Sequence, residues 1–66
     1  MIPRKEYILM LIDKRGWSLN QFAAKAGVSR SMVSKWAKGA RGAGADLIGG
    51  ILRAFPEEDI KKLFIY

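Results

Sequence analysis

Cysteine and histidine are both missing from the 66 residues. Their absence excludes disulfide staples, cysteine–histidine zinc sites, thiol nucleophiles and imidazole acid–base chemistry. Long hydrophobic runs are missing too. The longest near the start, Tyr7 to Ile12, is six residues, against the roughly 20 a membrane span needs. With Arg4 and Lys5 before it, this run is also too short for a secretory signal, so a soluble intracellular chain is expected. A single domain of this length buries only about 60% of the surface it exposes unfolded. Large nucleotide-binding and barrel architectures do not fit, and the small core must rest on helix packing, a partner chain, or both.

Negative charge is scarce where positive charge is dense. The chain carries 12 Lys and Arg against 6 Asp and Glu, a formal +6. Residues 1–45 hold nine cations and only two acids, Glu6 and Asp13. From Lys25 to Ala45 there are five cations and no acid. Such one-sidedness attracts polyanions, nucleic acid first and anionic membrane second.

Pattern and punctuation divide the chain into five helices. Pro3 suits a first helical turn and Gly16 stops the run, which predicts helix 1 over about 3–15, with Ile8, Leu11 and Ile12 inward. Leu9 and Met10 are surplus and need another covering surface. Ser18 and Gln21 have capping-box spacing, and Trp17 stands where a hydrophobic staple would face Phe22 or its neighbour. Helix 2 is expected over about 19–26, ending at Gly27; Ser29 caps helix 3, which ends at Gly39. So short a connection forces helices 2 and 3 to meet steeply. A glycine-rich loop then leads to helix 4, about 45–55, where Gly49 and Gly50 imply a close helix approach. Glu57, Glu58 and Asp59 suit the positive end of helix 5.

Helix 3 divides cleanly. At 100° per residue, Arg30, Ser34, Lys38, Ser31 and Lys35 share an arc of about 140°, and Met32, Val33, Trp36 and Ala37 occupy the other side. A helix of this kind can enter the DNA major groove. Arg30 can present two parallel donors to guanine, Ser31 and Ser34 can reach base edges, and Lys35 lies one turn beyond. Lys38 and Arg41 suit phosphates, which fix register without reading sequence.

Residues 16–39 resemble the helix-turn-helix of the Cro and phage-repressor family. The most specific stretch is Phe22-Ala23-x-Lys25-x-Gly27-Val28-Ser29-Arg30-Ser31-x-Val33-Ser34. The resemblance covers nearly the whole chain. It implies an all-α, compact five-helix lambda repressor-like domain over 1–66, with the helix-turn-helix at 18–39. It implies base contacts by Arg30, Ser31 and Lys35, with Ser29 and Ser34 nearby, and backbone contacts by Lys38 and the following loop. Two positions depart from the family pattern. Leu19 replaces a glutamine that touches phosphate, which moves that contact to Asn20 or to backbone amides. Ile12 and Ala37 replace an arginine–glutamate pair; losing both together avoids an unpaired buried charge, and Ile12 is expected near Ala37 and Trp36.

The expected function is sequence-specific binding of double-stranded DNA as a transcriptional repressor of phage, mobile-element or bacterial origin. No cofactor, metal, small-molecule ligand or membrane is implied. A cytoplasmic, nucleoid-associated location follows from that reading. The surplus Leu9 and Met10 and the apolar terminus predict a homodimer using Leu63, Phe64, Ile65 and Tyr66 and reading a near-palindromic operator. The alternatives are a DNA-binding antitoxin, the amino-terminal domain of a longer regulator, and a basic module for proteins or membranes. Catalysis would need a serine–lysine pair such as Ser31–Lys35 in a buried pocket.

Overall fold

In the computed structural model, which describes residues 2–65, local caps set most of the elements. The order is β1 (Ile2–Pro3), α1 (Lys5–Lys14), α2 (Leu19–Ala26), α3 (Arg30–Ala37), α4 (Ala45–Ala54), α5 (Ile60–Leu63) and β2 (Phe64–Ile65). The capping box closes as expected. Ser18 Oγ accepts from the Gln21 amide at 3.1 Å, and Gln21 Oε1 accepts from the Ser18 amide at 2.8 Å. The helical architecture and the order of its five helices agree with the expected fold.

The two ends differ from expectation. Helix 1 begins at Lys5, because Ile2 and Pro3 pair antiparallel with Ile65 and Phe64. Proline is tolerated in such a short edge strand, where no ladder donor is required of it. The Arg4 amide then donates to the Leu63 carbonyl at 2.8 Å, fastening the C-terminal segment across the start of α1. Helix 5 is a single turn, capped by Asp59, whose side chain accepts from the Lys61 amide at 3.0 Å.

This return strand corrects the predicted dimer residues. Leu63 and Phe64 are fully buried in the chain's own core and offer no surface to a partner. Ile65 remains exposed, and Tyr66 lies outside the described residues. Leu9 is half-buried against the core, while Met10 stays exposed.

All five helices and the aromatic segment after α4 contribute to one core, with no buried polar or charged side chain among the described residues. Phe55 is its keystone. Its ring stacks at 5.4 Å on Trp17 and at 5.8 Å on Phe22. The Trp17 ring therefore meets Phe22 of α2 through Phe55, a residue distant in sequence, rather than as a direct staple. Ile12 and Trp36 are both buried in this cluster and Ala37 packs against it.

The close approach inferred for the paired glycines belongs to Gly50. A β-carbon there would stand 2.9 Å from both Ala26 Cβ and the Ala26 carbonyl oxygen. At Gly49 it would meet only the Arg53 guanidinium of its own helix, at 3.4 Å. Gly50→Ala should therefore separate α4 from α2. Overpacking of about 1–3 kcal/mol outweighs the roughly 1 kcal/mol that alanine adds to helix propensity. Urea unfolding checks the sign; equal or higher stability would contradict it.

Glu57 and Glu58 do more than face a helix dipole. Arg15 pairs with Glu57 and stands 3.6 Å from Glu58, and the Tyr7 hydroxyl donates to Glu58 at 2.9 Å. The hydrogen bond from Arg15 holds the Glu57 carboxyl below its ordinary pKa. The hydrogen bond to Glu58 raises the Tyr7 phenol above its own. The signs oppose one another. The Glu57 contribution is complete above about pH 4.3, the ordinary glutamate value, and fades as pH falls through the lowered pKa. The Tyr7 contribution is complete below about pH 10 and fades as pH rises through the raised pKa. Thermal melting of Tyr7→Phe against pH should lack the alkaline fall due to this contact; an unchanged alkaline limb would contradict the assignment.

Candidate nucleic-acid interface

Three residues turn the chain from α2 into α3. Gly27 adopts φ +72°, a left-handed conformation that costs glycine little. The Val28 amide returns to the Ala23 carbonyl at 3.1 Å, closing the C-terminus of α2. Ser29 is extended, and its Oγ accepts from the Met32 amide at 3.1 Å, starting α3. The two-helix unit is thus fixed by its own turn.

A residue outside that turn also holds it. Arg53 on α4 donates from Nε and Nη2 to the Ala26 carbonyl, at 3.1 and 2.7 Å. The cation sits at the negative end of α2, where charge and hydrogen bond act together. Sequence reasoning missed Arg53 because its acceptor lies 27 residues earlier; a cation in the last turn of α4 is the only local sign. Arg53→Ala should lose about 1 kcal/mol, below the usual range of about 1.5–3 kcal/mol for a charged hydrogen bond because the residue as a whole is exposed and its bonds only part-buried. Hydrogen exchange should show the Gly27 and Val28 amides losing protection first. Uniform loss through the domain would deny the local role.

Helix 3 presents the face its spacing predicts. Val33 and Trp36 are buried and Met32 and Ala37 half-buried, which anchors one side. Arg30, Ser31 and Lys35 are exposed on the other, and Ser34 is half-buried between them. Lys38 is exposed as the C-terminal cap, since the regular helix ends at Ala37. Among the described residues Arg15 alone forms side-chain ion pairs, so the cations of α3 meet no carboxylate. Their charge is left to solvent or to an approaching polyanion.

The remaining predicted contacts are placed less uniformly. Asn20 is exposed in the first turn of α2, and Arg41 is exposed in the loop after α3. Arg41 Nε reaches only the neighbouring Gly42 carbonyl, at 3.4 Å. The Ser29 hydroxyl accepts the cap bond from the Met32 amide and keeps its proton to donate. No helix of the described residues is long and apolar enough to cross a membrane.

The family model described as helix-turn-helix matches residues 8–62. Comparisons with curated proteins and with solved structures returned no match. The matched span runs from α1 into α5 and includes the whole α2–turn–α3 unit. With its glycine turn, serine caps and acid-free exposed helix face, the chain belongs to the Cro and phage-repressor type of helix-turn-helix family, whose members bind DNA sequence-specifically as regulators.

Proposed function

We propose that this chain is a transcriptional repressor of phage, mobile-element or bacterial origin that reads its operator with α3 in the major groove. The observation that carries the reading is the exposed arc of Arg30, Ser31 and Lys35, backed by buried Val33 and Trp36. A helix about 10–12 Å across matches the roughly 12 Å width of the major groove. Arg30, one residue past the cap, pairs with a guanine edge, while Ser31 and Lys35 contact neighbouring bases. Ser34 supports them from its half-buried place. Ser29, Asn20, Lys38 and Arg41 hold the backbone and set the register.

The repressor acts as a homodimer on a near-palindromic site. Ile2 and Ile65 face one another across the β1–β2 pair and are 64% and 45% exposed, an apolar pair in want of a cover. Two recognition helices then stand roughly 34 Å apart, one turn of the duplex.

Selection of bound duplexes from a random pool tests both parts. A converging motif of two inverted half-sites, about 10 base pairs between centres, is expected. A pool that never converges overturns sequence-specific reading. A single unpaired half-site, with one chain per duplex in sedimentation, overturns the dimer.

A further inference from the structure

Two residues of α4, one turn apart, close on the same point of α2. Gly50 packs so tightly on Ala26 that a β-carbon there would stand 2.9 Å from its carbonyl oxygen, and Arg53 donates to that same oxygen from Nε and Nη2. The guanidinium is seated between two glycines. A β-carbon on Gly27 would lie 3.6 Å from Nε and Nη2, and one on Gly49 would lie 3.4 Å from Nη1. With no side chain at either position, the guanidinium reaches the end of α2 unobstructed. The Ala26 carbonyl is one of the acceptors a helix end leaves unpaired, and no backbone amide among the described residues reaches it. Arg53 is its partner. Ala26 closes α2, and α3 begins four residues later at Arg30.

We propose that Arg53 is a positioning residue for DNA reading: its fork on Ala26 sets the angle at which α3 leaves α2, and operator affinity depends on it although Arg53 does not touch the duplex. This rests on the major-groove reading above. The leverage is geometric. The eight residues of α3 span about 12 Å. A rotation of about 10° at the turn carries the far end of such a helix through about 2 Å, against a tolerance of roughly 0.5 Å for a productive contact. Val33 and Trp36 hold α3 by packing, which is non-directional. The paired bonds from Arg53 are directional and fix orientation as well as distance. The latch itself bounds the effect. An unlatched chain regains the binding angle at a cost no greater than the lost bond, and the net contribution of one hydrogen bond converts to about fivefold.

Two rival accounts predict other results. As a pure stabiliser, Arg53 lowers melting and leaves the affinity of the folded chain unchanged. As a phosphate contact, its loss weakens every duplex and flattens the slope of log K against log salt by about 0.9. The experiment titrates wild type, Arg53→Ala, Arg53→Lys and Ile8→Val with the selected operator and with random duplex, over a range of salt concentrations and well below the melting temperature of each. Ile8 is fully buried on α1, so its truncation weakens the core from another helix. Arg53→Ala should bind the operator about fivefold more weakly, keep the wild-type salt slope, and lose little on random duplex, whose binding rests on phosphate charge. Arg53→Lys should recover only part of the loss, since an ammonium keeps the charge at the end of α2 but not the fork. Ile8→Val should bind as wild type does. Residual dipolar couplings of free Arg53→Ala should show α3 reoriented against α2, a readout that needs no duplex. Wild type that selects no operator overturns the major-groove reading and this inference together. Wild-type operator affinity in Arg53→Ala, or couplings that still fit the wild-type frame, overturns the inference alone. So does a flattened slope, which makes Arg53 a phosphate contact, or an equal loss in Ile8→Val, which leaves Arg53 a stabiliser only.

Discussion

Phe55→Ala should cost about 3–5 kcal/mol, the range for removing a fully buried aromatic ring, and leave the chain largely unfolded at 37 °C. The ring is 1% exposed and joins three parts of the molecule. It stacks on Trp17 between α1 and α2, on Phe22 inside α2, and lies 4.8 Å beneath the Arg15 guanidinium. Pro56 follows directly and prevents the helix from continuing to fill the space. A domain this small has roughly 5 kcal/mol or less in hand from a single core. Loss of the ring therefore approaches the whole stability. Urea unfolding followed by circular dichroism measures it. A loss under about 1 kcal/mol would mean that the cavity collapses at little cost and that Phe55 is not the keystone.

Arg30→Ala should weaken binding to the selected operator by about 1–3 kcal/mol, which is roughly fivefold to 150-fold, and relax preference at one base pair per half-site. The fold should not notice. Arg30 is exposed, forms no ion pair among the described residues, and follows a cap supplied by Ser29. Binding to random duplex should fall far less, since a base contact adds little there. Competition titrations with operator and random duplex separate the two affinities. An equal loss on both would make Arg30 a phosphate contact and shift direct readout to Ser31 and Lys35.

What the sequence discloses of this molecule follows the range of the forces involved. The α2–turn–α3 unit is legible because its determinants are local: Ser18 with Gln21, Gly27 and Ser29 each act within three residues. The two faces of α3 are legible for the same reason. The termini are not. Pro3 fits a helix start as well as it fits an edge strand, and only Phe64, sixty-one positions away, decides between them. That distant pairing turns Leu63 and Phe64 inward, where an apolar tail read on its own suggests an interface. Gly50 is readable as a close approach, but its neighbour Gly49 carries the same letter without the same role. Arg53 escapes notice because it acts on a helix other than its own.

The identity of the reading face is the point on which everything else turns, and amide chemical-shift mapping during addition of the selected duplex probes it most directly. The account predicts the largest changes at Arg30, Ser31, Ser34 and Lys35, smaller ones at Asn20, Lys38 and Arg41, and quiet amides along α5. Perturbation concentrated on α5 and Ile65, with α3 unmoved, would contradict it.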